Sequence, residues 1–152
     1  MDQLDILNVL YQEMTEREIP SLMENHYSKL MDYCNANRYV IPEEIFDHLF
    51  AKAEELEMCA FFAGALSTLH ISPEHPIHNA QKNNEPELKL FYKEMKDTEL
   101  TPYITHARND LSNFLHDNFS GKIQKNLSQK TADLEMAAFI TGTKLILNLL
   151  QE

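Results

Sequence analysis

The feature that most constrains this chain is a sentence it says twice. Leu56-Glu57-Met58-Cys59-Ala60-Phe61-Phe62-Ala63-Gly64 returns as Leu134-Glu135-Met136-Ala137-Ala138-Phe139-Ile140-Thr141-Gly142. A second block precedes each copy. Tyr11, Glu13 and Met14 followed by Glu18, Ile19 and Pro20 are matched by Tyr92, Glu94 and Met95 followed by Glu99, Leu100 and Pro102. The offsets are 81 residues for the first block (11 to 92) and 78 for the second (56 to 134), so the copies keep their order and differ by a short deletion between blocks. The hairpin loop Asn118-Phe-Ser-Gly-Lys122 of the second copy absorbs that deletion. Collinear repeats of this kind indicate tandem duplication of a structural unit.

The unit is helical. Only three glycines occur in 152 residues, too few for the turns of a many-stranded sheet, while apolar residues recur at helical spacing almost throughout. The spacing predicts a first helix over about 3–15 (Leu4, Leu7, Leu10, Tyr11, Met14), and a second from Pro20 to about 35. The second is striped by Met23, His26, Tyr27, Leu30, Met31 and Cys34. Pro42 opens a long third helix to about 70, since proline is tolerated in a first turn and not later. The proline- and asparagine-bearing stretch 71–84 has no period and is expected to be a connection. The three-helix pattern then repeats: about 85–96, a start at Thr101-Pro102, and a long helix over about 122–150. The expected fold is all-α: a single domain over 1–152, a six-helix bundle of repeats 1–71 and 82–152 joined by loop 72–84. Each long helix becomes apolar all round near its end, as a central helix does, so the two are expected to bury each other about a pseudo-twofold axis. Leu56, Phe61, Gly64, Leu134, Phe139 and Gly142 form the core of that repeat.

Glycine inside a helix costs about 1 kcal/mol relative to alanine, so Gly64 and Gly142 are expected to mark a close approach of backbones. Glu57 and Glu135, at the edge of the apolar zone, are expected to cap or pair with the opposite copy; the sharper alternative is a symmetric carboxylate pair holding a metal or a proton. Bundle metal sites also use Glu-x-x-His on neighbouring helices, and the chain contains none.

Each copy resembles a small, uncharacterised all-helical family of Gram-positive bacteria and their mobile elements, which has an N-terminal Leu-Tyr segment, a proline, and a helical hairpin ending in Glu-x-x-x-Phe-x-x-Gly. Glu135, Phe139, Gly142, Lys144 and Leu145 match that ending in the second copy, and Glu57, Phe61 and Gly64 in the first. The resemblance implies a fold and a genomic neighbourhood, not a reaction.

Other candidate chemistry is sparse. His70, His75 and His78 are close in sequence, and imidazole suits zinc, but the prolines between them favour a polar connection and no metal is expected. His26 is expected to be a hydrogen-bonded core histidine. Asp47-His48 and His116-Asp117 are adjacent on helices and diverge by about 100°, so neither is poised for proton transfer. No phosphate loop, nucleophile elbow or HExxH is present. Cys34 and Cys59 lack CxxC spacing and resemble small core hydrophobes of a reduced cytosol. The N-terminus has acids where a signal peptide carries basic residues, and no apolar run approaches the roughly 18 residues of a membrane span. These features point to a cytoplasmic protein that is not an enzyme and uses no cofactor.

Charge supplies the remaining direction. With 24 acidic against 13 basic side chains and a net charge of −11, the chain is unsuited to gripping nucleic-acid phosphates directly. Residues 1–71 hold 13 acids and 4 bases, net −9; residues 72–152 hold 11 and 9, net −2. Much of the excess lies between 43 and 57, on Glu43, Glu44, Asp47, Glu54, Glu55 and Glu57. The reading that follows is an acidic helical binding protein, meeting the basic surface of another protein through Glu43, Glu44, Asp47, Glu54 and Glu55. The broad apolar tail Leu145, Ile146, Leu147, Leu149 and Leu150 also suits a homodimer. Two alternatives stand beside it. One is a phage or mobile-element inhibitor of a host defence nuclease, of anti-CRISPR or anti-restriction type, whose acidic face mimics nucleic acid. The other is a metal-dependent enzyme or sensor using His70, His75, His78 and the Glu57/Glu135 pair.

Overall fold

Proline, asparagine and glycine set the helix boundaries. In the computed structural model, which describes Asp5 and residues 21–80, 84–96, 98 and 102–150, five α-helices occur among the described residues. They are α1 (Ser21–Ala36), α2 (Glu43–His70), α3 (Glu85–Met95), α4 (Pro102–Asn118) and α5 (Gly121–Leu150). The helix expected over 3–15 lies outside the described residues, as do Tyr11, Glu13, Met14, Glu18, Ile19 and Pro20 of the first repeated block. Pro42 precedes α2 in an extended conformation with no side-chain cap, and Glu43 and Glu44 occupy the first turn. Their charges favour the positive end of the helix dipole. Asn84 caps α3, its side chain accepting from Glu87 N at 3.4 Å. The reversal from α4 into α5 turns on Gly121, at φ +61°, a conformation glycine adopts without a Cβ penalty.

The described part of the connection, residues 72–80, is more structured than its composition suggests. Residues Pro76–Asn79 form a 3-10 turn, and His75 caps it by accepting from Ile77 N through Nδ1 at 3.0 Å. Ile77 and Ala80 are buried. Two apolar side chains in a polar stretch are enough to dock it, which helical periodicity does not detect.

The long helices are central. α2 packs chiefly on α5; α1 lies against α5, α4 lies against α2, and α3 lies against α5 and the 3-10 turn. Phe61 and Phe139 are fully buried, as are Leu134 and, nearly so, Leu56. Tyr92 meets Phe139 edge-on at 5.2 Å between ring centroids, and Phe91 follows at 5.9 Å. Along α1 the buried stripe is narrower than expected: Met23, Leu30 and Cys34 are inside, Tyr27 is half-buried, and Met31 is exposed. His26 is likewise half-buried and not a core residue, being turned toward the margin of the stripe, and this partial burial holds its imidazole pKa below the usual value, with Asp133 pulling it up. In the apolar tail Ile146 and Leu147 are covered, while Leu150 is exposed. No helix among the described residues is long and apolar enough to cross a membrane.

At the crossing of α2 and α5 the backbones touch. A Cβ built on Gly64 would run into the carbonyl oxygen of Phe139 and come within 2.8 Å of its carbonyl carbon. A Cβ on Gly142 would run into the carbonyl oxygen of Phe61 and come within 3.0 Å of Ala65 N. Each glycine thus makes room for the residue three positions before the other. The Gly64 carbonyl also accepts from Thr68 Oγ1 at 2.7 Å and, across the crossing, from Thr143 Oγ1 at 3.3 Å.

This geometry reverses the ordinary effect of alanine in a helix. In open space Gly→Ala would stabilise by about 1 kcal/mol; at Gly64 or Gly142 the obstacle is backbone, and the helices must separate. We expect Gly64→Ala and Gly142→Ala each to lose about 1–3 kcal/mol in urea unfolding monitored by circular dichroism. A gain in either variant would refute the close-packed crossing.

Candidate functional site

Two groups of side chains stand out, and they lie on different sides of the molecule. The first is the acidic sector of α2. At about 100° per residue, Glu43, Glu44, Asp47, Glu54 and Glu55 fall within a sector of roughly 120°, and all five are exposed. Tyr27 of α1 donates its hydroxyl to Glu54 Oε1 at 3.0 Å. Burial raises the pKa of that phenol, and the charges of Glu54 and Glu57 push it the same way. Among the described residues no cation pairs with Glu43, Glu44, Asp47 or Glu55.

Glu57 does not belong to this surface. On the helix it falls about 40° outside the sector, on the side of Glu43, close enough to Tyr27 of α1 for its charge to act on that phenol, and it is 8% exposed. The expected acidic face over 43–57 therefore ends at Glu55.

The second group is built around Glu135 of α5, which is 3% exposed. Taking a carboxylate out of water is expensive unless its oxygens are paired, and here they are. Arg108 of α4 donates from Nε to Oε1 at 2.7 Å and from Nη2 to Oε2 at 3.1 Å. Tyr92 of α3 donates its hydroxyl to Oε2. Arg108 Nη2 also donates to the Lys96 carbonyl at 3.3 Å, tying the end of α3 to α4. One buried charge thus locks three helices together through a side-on, two-point guanidinium contact, the geometry arginine supplies and lysine does not.

This corrects the expected role of Glu135. Both of its partners come from residues 82–152, so it pairs within its own repeat and not with the opposite copy. The reason is reach: α3 and the start of α4 lie beside α5 at this level. The signal that could have found it was Arg108, the one arginine in residues 72–152, because a buried carboxylate in an apolar helix calls for such a partner.

Beside this cluster opens a cleft of about 260 Å³. Leu56, Leu111 and Leu115, all buried, line it together with Tyr92, Lys96, Arg108, Ser112, Ser128, Thr131, Ala132 and Glu135. It joins α2, α3, α4 and α5. Nearby, Lys52 Nζ donates to Asp110 Oδ2 at 2.8 Å, linking α2 to α4.

The histidine segment is dispersed. His75 is occupied at both ring nitrogens, by Ile77 N and by Glu94, whose nearer oxygen lies at 3.1 Å. The imidazole that accepts at Nδ1 and donates from Nε2 is the neutral tautomer. His70 is exposed and His78 half-buried. Among the described residues no three His, Cys, Asp or Glu side chains converge on a point where a metal ion could sit. Leu56 and Leu134, Phe61 and Phe139, and Gly64 and Gly142 are all interior, so these six positions serve packing. No protein-family profile, curated protein or solved structure matches the chain.

Neither thiol is set up as a nucleophile. Burial pushes Cys34 up to about 11, against the opposing pull of Arg38 and Lys130, and raises Cys59 as well; the reactive species is the thiolate. At pH 8 Cys34 should label with a disulfide reagent only as fast as the protein unfolds. Rapid labelling in the folded state, read by peptide mass spectrometry, would contradict its burial.

Arg108→Met leaves the Glu135 charge buried without its cation. Because the guanidinium is 28% exposed, the loss should fall toward the low end for a broken buried pair, about 2–3 kcal/mol. Adding Glu135→Gln to that variant removes the charge and keeps an acceptor for Tyr92. At least half of the lost stability should return in chemical denaturation; a double variant no more stable than Arg108→Met would show that the pair is not what holds α4 to α5.

Proposed function

We propose that the chain is a tandem duplication of a three-helix unit and acts, in the cytoplasm and without catalysis, as a binding protein whose acidic α2 sector meets a basic surface of another protein. The duplication is supported by the contacts of the core. Gly64 faces Phe139 as Gly142 faces Phe61, and the proline-started helix of each repeat lies on the long helix of the other, α1 on α5 and α4 on α2. An arrangement with a pseudo-twofold axis at the α2–α5 crossing accounts for both. The resemblance of each copy to small helical proteins of Gram-positive bacteria and their mobile elements directs the search for a partner to such hosts.

The observation that carries the binding reading is the concentration of exposed carboxylates on one helix sector. Glu43, Glu44, Asp47, Glu54 and Glu55 cover about three turns of α2, and the opposite side of the same helix is core. A one-sided field of this kind raises association rates with a complementary surface and fixes its orientation. Solubility alone would be served equally well by acids dispersed over all helices.

The test reverses the sector while sparing Glu54, which holds Tyr27. A Glu43→Lys/Glu44→Lys/Asp47→Lys/Glu55→Lys variant and the unaltered chain are crosslinked in host extract at low salt, and the captured proteins are identified. A partner captured by the unaltered chain should be lost by at least about tenfold in the variant and on raising the salt to about 0.5 M, with the melting temperature little changed. A partner retained equally by a folded variant would remove the acidic sector from the function.

A further inference from the structure

The turn between α1 and α2 is firmly held and yet holds apolar side chains out to water. Over residues 37–42 a run of backbone hydrogen bonds fixes it: Asn37 N donates to the Cys34 carbonyl at 3.2 Å, Arg38 N to that of Asn35 at 3.4 Å, Val40 N to that of Asn37 at 3.0 Å, and Ile41 N to that of Arg38 at 3.2 Å. The Asn37 side chain adds a donation to the Tyr33 carbonyl at 2.8 Å. On either side of Tyr39 and Val40 the chain is anchored. Ile41 is 1% exposed, and the Arg38 guanidinium lies over Phe46, 3.9 Å from the ring centroid. Tyr39, by contrast, is 84% exposed and Val40 42%. Reversal between helices does not require this exposure: α4 gives way to α5 through Phe119 and Ser120 alone, and Phe119 packs against the core.

We infer, resting on the binding role given above to the acidic sector, that Tyr39 and Val40 are the apolar anchor of the same surface and enter an apolar pocket of the partner protein rimmed by Lys and Arg. Position links turn and sector. On α2, Phe46 lies about 60° from Glu43, so Arg38 pins the turn beside the sector's edge. The Cα atoms of Tyr39 and Glu43 are at most about 14 Å apart, and Glu43 and Glu44 are both exposed. An apolar tip flanked by carboxylates is complementary to an apolar hollow flanked by basic side chains. Tyrosine suits the role, because its ring supplies a large contact area with only two side-chain torsions to fix. The turn is ordered before binding, so little further freedom is lost on docking. Charge and anchor act on different rates: exposed carboxylates govern chiefly how fast the partners meet, and a ring buried at the interface governs how slowly they part.

The test places the photoreactive residue p-benzoylphenylalanine at position 39 of the full-length chain in host extract. Crosslinks through that residue should join a partner segment that carries apolar side chains with Lys or Arg beside them, and should disappear with Glu43→Lys/Glu44→Lys/Asp47→Lys. With that partner purified, Tyr39→Ala should speed dissociation at least about tenfold and leave the association rate and its salt dependence little changed. Tyr39→Phe, which keeps the ring, should stay within about twofold of the unaltered chain. The charge reversal should act the other way, slowing association. A side chain this exposed can be truncated without unfolding the chain, which an unchanged melting temperature checks. No crosslink through position 39, or a crosslinked segment without basic residues, overturns the anchor. So does a Tyr39→Ala chain that is released no faster while charge reversal still slows association, and the acidic sector then keeps its role alone. A partner released by Tyr39→Ala but indifferent to charge reversal would instead overturn the acidic-sector reading, and the basic rim with it.

Discussion

Everything in this molecule hangs on the contact between two helix backbones at Gly64 and Gly142. Where side chains separate two helices, their axes stay about 8–10 Å apart. Here the absence of two Cβ atoms lets the carbonyl groups of Phe139 and Phe61 occupy the places those atoms would fill. The consequences spread outward along both helices. Phe61 and Phe139 are held at the centre, Leu56 and Leu134 follow further along, and α1 and α4 settle in the angles that the crossing leaves. Glycine's conformational cost in a helix is offset by the dispersion contacts that the close backbone approach allows. The hydroxyl of Thr143, directed across the crossing to the Gly64 carbonyl, adds a polar contact that a sliding of one helix past the other would break.

The same crossing explains why one carboxylate of the repeated motif is so deeply placed. Glu135 sits two turns before Gly142, close enough to the contact to be enclosed and far enough from it to be reached by side chains from α3 and α4. Its burial would be untenable without Arg108, and Arg108 would be a floppy surface side chain without Glu135. The pair makes the position of α4 a matter of geometry and not only of hydrophobic fit, since a two-point guanidinium contact tolerates little displacement. The cleft follows from this arrangement: α4 is held at Arg108 and, by Lys52 and Asp110, near α2, and between these anchors small residues such as Ser112, Ser128 and Ala132 leave the space unfilled.

The all-α class and the five described helices were legible because they are written in periodic apolar residues. The bounds of α2, α4 and α5 follow directly from Pro42, Pro102 and the loop ending at Gly121, and the close approach at the two glycines follows from their placement in apolar helix interiors. What was not legible depends on contacts between elements. Helical spacing puts Glu57 only about 40° beyond Glu43, and what encloses it is its neighbourhood on α1, where Tyr27 lies, and not its rotation away from the sector. The partner of Glu135 could not be read from symmetry, because a duplicated sequence says that the two glutamates are equivalent and does not say whether each is met by its own repeat or by the other. His75 looked like a candidate metal ligand because sequence shows the imidazole and not the Ile77 amide and Glu94 carboxylate that occupy it.

Differences between the two matching sequence segments and their helices are concentrated where packing does not forbid them. The motif Leu-Glu-Met-x-Ala-Phe-x-x-Gly is constrained at nearly every apolar position by the crossing, so charge could accumulate only on surfaces turned away from it. On α2 that surface became an acidic sector, with Ala51 among the carboxylates; on α5 the exposed residues include Lys122 and Lys125. Two unlike faces on two helices that pack on one another are difficult to explain by stability, since surface charges of either sign contribute little to it. They are natural if one face has been retained for a partner and the other has not.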